Sequence, residues 1–105
     1  MADTVQPTSS ELATIRDRLR RELPRLAEEY HVATLGIFGS YVRHEQHPGS
    51  DLDLLVTFSR PLGLLRFSAL ANSLSDLLGL RVDLVMKSAL KPRIGERILA
   101  EVMAV

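Results

Sequence analysis

The sequence predicts a small α/β or α+β domain: a mixed sheet of about three or more strands with helices packed on it. Three observations predict it. Segments with apolar residues three and four apart alternate with short β-favouring runs. Leu52 to Phe58 alternates strictly between the two sides of a strand. Glycine and proline at 39, 48–49, 61, 63 and 79 punctuate the boundaries.

The elements follow in order. Residues 1–8 are polar and unpatterned and read as a tail; residues 9–105 read as one domain. Thr8-Ser9-Ser10-Glu11 has the capping-box spacing. Leu12, Ile15, Leu19, Leu23, Leu26 and Tyr30 then form one helical stripe. Pro24 should kink or split that helix, because its ring removes a backbone bond to the preceding turn. Val32 to Phe38 reads as a buried strand closed by Gly39, followed by a short helix from Tyr41 to about Glu45 and a loop at 47–50. In the second strand Leu52, Leu54, Val56 and Phe58 face the core, while Asp51, Asp53, Leu55 and Thr57 take the other side. A helix with apolar positions from Leu64 to Leu78 is capped by Gly79. Leu80 to Met86 is a third strand, with Arg81, Asp83 and Val85 on one face. Pro92 suits the first turn of a last helix, whose stripe is Ile94, Ile98, Val102 and Leu99.

Composition narrows the function. Lys plus Arg equal Asp plus Glu at 13 each, so no global basic field attracts nucleic acid. Cysteine is absent, which excludes disulfides, thiolate catalysis and Cys-ligated zinc. The first ten residues lack the basic and apolar regions of a secretory signal, and no apolar run approaches the roughly 20 residues a membrane span needs. A cytoplasmic protein is the expectation.

The stretch GIFGSYVRHEQHPGSDLDLLVTF, Gly36 to Phe58, carries the chemistry. Asp51 and Asp53 lie two apart on a strand, so both leave one face about 6–7 Å apart at Cα. Like charges that close call for a cation, and Mg²⁺ suits them: a hard ion that takes a few carboxylate oxygens and completes its shell with water and phosphate. Asp83 completes a triad if the second and third strands are neighbours, and such a cluster can hold one or two ions. Gly39 at a strand-to-helix turn lets backbone N–H groups approach an anion, Ser40 adds a hydroxyl, and Arg43 can steady the phosphates or brace the carboxylates. One loop would grip a triphosphate while the adjacent strand holds the metal.

Gly39-Ser40, ten residues, then Asp51-Leu52-Asp53 resembles the G-S-x10-D-x-D signature of the DNA polymerase β-like nucleotidyltransferases. More closely, it is similar to their minimal nucleotidyltransferases (MNT), antitoxins usually paired with HEPN-domain toxins. The resemblance spans residues 9 to 105. Arg43 stands where that family carries arginine, Ser50 precedes the first aspartate, and Asp83 in VDLV stands at the third carboxylate. His44 replaces the family's usual glycine. The resemblance implies a nucleotidyltransferase fold and an Mg²⁺-dependent enzyme that moves AMP from ATP to a tyrosine hydroxyl of a HEPN-family RNase toxin. Asp51, Asp53 and Asp83 would be the catalytic and metal residues; Gly39, Ser40, Arg43 and Ser50 would bind the nucleotide. A hetero-oligomer with the toxin, or a homo-oligomer, is the expected assembly.

Two other functional readings stand beside this one. A non-catalytic antitoxin could neutralise its partner by contact, through the arginine-rich first helix and the basic stretch near Lys91. Adenylylation of a small molecule, as in aminoglycoside-modifying relatives, lacks the extra helical domain those enzymes use. His31, His44 and His47 read as surface histidines, while Lys87, Lys91, Arg93 and Arg97 could reach phosphates or simply solvate a helix start.

Overall fold

Residues 7–105 are described by the structure, a computed structural model. Helix α1 (Pro7–Tyr30) buries Leu12, Ile15, Leu19 and Leu26, with Leu23 and Tyr30 partly covered, so the stripe is the one its spacing predicts. It starts two residues ahead of Ser9; residues 1–6 and the side chains of the expected cap, Thr8 to Ser10, lie outside the described residues. Pro24 does not split the helix. It sits on an exposed position, where water can serve the carbonyl that the ring leaves unbonded.

Strands β1 (Val32–Phe38), β2 (Leu52–Phe58) and β3 (Val82–Met86) follow the sequence pattern. A two-residue strand, β4 (Met103–Ala104), was not expected. The sheet order is β3-β2-β1-β4. β1 is antiparallel to both β2 and β4, while β2 and β3 are parallel. That parallel step requires a crossover, which α2 (Leu64–Leu78) supplies. Gly79 ends α2 in the left-handed conformation at φ +67°, donating its N–H to the Ser75 carbonyl, as a C-terminal glycine does. α3 (Pro92–Glu101) opens with its proline in the first turn.

The sheet has two unequal faces. Leu35, Ile37, Leu52, Leu54, Val56 and Leu84 point into the main core with α1 and with Leu70 and Leu74 of α2. Pleat alternation puts Gly36, Phe38, Asp53 and Leu55 on the other face. A side chain at Gly36 would collide with Val102 at the end of α3, so α3 lies over this second face. Leu55 is buried there, at 6% exposure. The stripe predicted for α3 is not a core stripe, however: Ile94 is 56% and Leu99 47% exposed. One helix of ten residues cannot roof four strands, and what it leaves open is a cleft.

Leu54 has no exposed surface and sits in β2, one of the two inner strands. Leu54→Ala is expected to cost about 3 kcal/mol, a large share of a small domain's stability, read as a lowered denaturant midpoint with unchanged slope. Among the described residues, no helix is long and apolar enough to cross a membrane.

Candidate active site

The parallel register pairs Asp53 with Asp83 across β2 and β3, strands about 4.8 Å apart, so the expected convergence of these two carboxylates occurs. They are close enough to share a hydrogen bond, and the Asp53 carboxyl is pushed up to about 6. Burial is the largest cause, followed by the charge of Asp83, the hydrogen bond with it, and the charge of Asp51; Arg43 pulls the other way. Asp51, just ahead of β2, is half-exposed and faces Arg81, with Nε 3.1 Å from its Oδ1. Arg81 also donates to the Gly49 carbonyl at 2.8 Å. Among the described residues no three acidic or histidine side chains are already gathered as a metal cage. The donor set nevertheless suits a hard cation: two facing carboxylates that repel, and a third whose exposed arginine partner costs little to release.

The raised Asp53 value has a consequence for stability. The native state holds this proton more tightly than the unfolded chain, so the contribution is complete below about pH 4 and is lost as pH rises through about 6. Thermal melts of the metal-free protein should therefore fall over that window by on the order of 1 kcal/mol, after screening is allowed for. Asp53→Asn should flatten this segment of the profile.

Gly39 forms the wall beside Asp53. Its φ is +81°, and a Cβ there would collide with the Asp53 carboxylate, so glycine is required by conformation and by space together. The short helix expected from Tyr41 to Glu45 is instead a single 3-10 turn over Gly39–Tyr41, with Tyr41 buried as its anchor. Val42 and Arg43 donate to the Gly39 carbonyl, and Glu45 donates to that of Ser40. The chain then leaves through His44 at φ +59°. This left-handed position is where the family's usual glycine fits, and it prevents a helix from continuing. Anion attraction by a helix N-terminus is therefore not available; the donors are local groups.

Two of those donors meet a residue the sequence reading missed. Glu101, the last residue of α3, accepts the Gly39 N–H at 2.7 Å on Oε2. Arg43 Nη1 donates to its Oε1 at 2.9 Å and to Oε2 at 3.0 Å, while Arg43 Nε donates to Glu45 at 2.9 Å. Both acids hold the Arg43 guanidinium in its charged form. No local pattern marks Glu101, which meets Gly39 only because α3 returns over the sheet. Phe38, Gly39, Arg43, Asp53, Ile94, Arg97, Ile98 and Glu101 line a cleft of about 550 Å³. Arg97 thus joins the site, whereas Lys87, Lys91 and Arg93 do not line this cleft. Ser50 closes the preceding loop, its hydroxyl accepting the His47 N–H at 3.0 Å. His31, His44 and His47 all lie outside the cleft.

A cleft that holds Asp53, a side-chain-free turn and two arginines, with Asp83 beside Asp53 on the next strand, is what a nucleoside triphosphate and its cation need. The family model for the nucleotidyltransferase domain matches residues 14–104. The chain is 47% identical over 94 residues to the protein adenylyltransferase MntA of Thermococcus cleftensis, covering 90% of this chain and 95% of that one. A solved candidate minimal nucleotidyltransferase superposes at a TM-score of 0.73 with 32% identity, over 98% of this chain and all of the other. The fold also matches, at a TM-score of 0.58 and 21% identity, a chain in the complex of a tri-AMPylated Shewanella oneidensis HEPN toxin with its MNT antitoxin, over 92% of this chain and 70% of that one. The chain belongs to the minimal nucleotidyltransferases of the nucleotidyltransferase domain family.

Proposed function

We propose that this protein transfers AMP from ATP to a tyrosine hydroxyl of a HEPN-family RNase toxin, and so acts as that toxin's antitoxin in the cytoplasm. The observation that carries the reading is the Asp53–Asp83 pair, held under mutual repulsion against a turn that admits no side chain. The Thermococcus relative's name supports protein adenylylation, and the solved Shewanella complex supports the partner.

Asp51, Asp53 and Asp83 would hold one or two Mg²⁺ ions, which when bound offset the negative charge of the reacting phosphates. Gly39 lets the phosphate chain approach the backbone closely. Ser40 donates its hydroxyl to the β- and γ-phosphates, and Arg43 and Arg97 supply counter-charge. Ser50 keeps the loop shut just ahead of Asp51. The acceptor oxygen attacks the α-phosphorus as the bond to the β-phosphate bridging oxygen breaks; pyrophosphate leaves and Asp83 takes the acceptor proton. Catalysis is then mostly positioning and charge compensation, which a scaffold this small can supply if the acceptor arrives on a folded partner.

Incubation with α-labelled ATP, Mg²⁺ and the product of the adjacent toxin gene is the test. Label is expected on the toxin, and absent when its acceptor tyrosine is changed to phenylalanine. Absence of label on the unaltered toxin would overturn the reading.

A further inference from the structure

We propose that the Glu101 carboxylate is a built-in competitor of the nucleotide, occupying the phosphate donors of the Gly39 turn until a triphosphate displaces it. This rests on the reading of the cleft as a nucleotide-phosphate site. Glu101 takes three hydrogen bonds from the Gly39 N–H and Arg43 Nη1, at 2.7, 2.9 and 3.0 Å. The two oxygens of a carboxylate and the edge of a phosphate present the same kind of anionic target to Arg43 Nη1 and the Gly39 N–H, so one group can stand in for the other. The Gly39 N–H has one hydrogen and cannot serve both. A triphosphate placed beside Glu101 would also meet like charge.

Release is feasible. The Glu101 and Arg43 side chains are 25% and 48% exposed, and an ion pair of that exposure holds its partners weakly. The backbone after Glu101 is held, by β4 pairing with β1, by the Val105 N–H on the Leu35 carbonyl and by Arg16 and Arg20 on the Ala104 and Val105 carbonyls, so release is a rotation of the Glu101 side chain and not a movement of α3. Glu101 therefore lowers nucleotide affinity and keeps the phosphate turn closed to weaker anions.

Calorimetry with ATP and Mg²⁺ on the full chain tests this. Glu101→Gln keeps an acceptor for Gly39 but loses the charge, and is expected to bind ATP roughly five- to tenfold more tightly than the natural protein. Equal or weaker binding by E101Q, with binding by the natural protein abolished in Asp51→Asn/Asp53→Asn, overturns the competitor and leaves the nucleotide site standing. No binding by either the natural protein or E101Q overturns both. A second measurement needs no variant: the Glu101 side-chain carboxyl ¹³C resonance should move toward that of a solvated glutamate on saturation with ATP and Mg²⁺. An unmoved resonance at saturation overturns the proposal even if E101Q does not fold.

Discussion

Asp51→Asn together with Asp53→Asn is expected to reduce AMP transfer by about 10³-fold or more without loss of the fold. The two halves of this outcome have one cause. Asp53 ionises against burial and against Asp83 and Asp51, so its charge is a liability to the metal-free fold. Neutralising it removes repulsion, and the variant should melt at or above the natural temperature at pH 7. The same charge is what a divalent ion would require. Transfer of labelled AMP and a thermal melt, run on one preparation, check both. A contact-only antitoxin would protect cells equally well as the double variant, and transfer that survives the substitutions would refute the assignment of these carboxylates.

Gly39→Ala is expected to be nearly as damaging, for a different reason. At φ +81° alanine pays a backbone penalty of about 1 kcal/mol, and its methyl would press the Asp53 carboxylate away from Asp83. A stability loss of about 1–3 kcal/mol and a fall in transfer of at least about 10²-fold should follow. Gly49→Ala is the matched comparison. Gly49 also has a positive φ, +95°, but open space surrounds its Cβ position. It should lose a similar backbone increment and retain transfer; equal loss of transfer in both would mean that strain, not collision with Asp53, governs the site.

The parts legible in the sequence are those with a period or a punctuating residue. β2 shows a two-residue period, α1 and α2 show helical stripes, and Gly79 and Pro92 mark an end and a start. Asp51, Asp53 and Asp83 were visible as chemistry, and the structure brings Asp53 and Asp83 together through strand register. What stayed hidden is non-local. β4 is two residues long, too short for any period, and exists because β1 offers an edge. Glu101 carries no motif of its own. The Tyr41–Glu45 helix gave way to a 3-10 turn because buried Tyr41 and left-handed His44 constrain the chain more strongly than local propensity does. Pro24 carries an intrinsic helix penalty, which an exposed position in a long packed helix softens.

The alignment of β3 against β2 acts as an on–off switch set during evolution. Shifting β3 by a single position would carry Asp83 through the plane of the sheet to the side of Leu70 and Leu74, where a carboxylate has no company but hydrocarbon. An insertion or deletion in the short link between Gly79 and Val82 is thus worse than most substitutions in the cleft, whereas the longer stretch between Tyr41 and Asp51 can change length with Asp53 still held by its ladder partners.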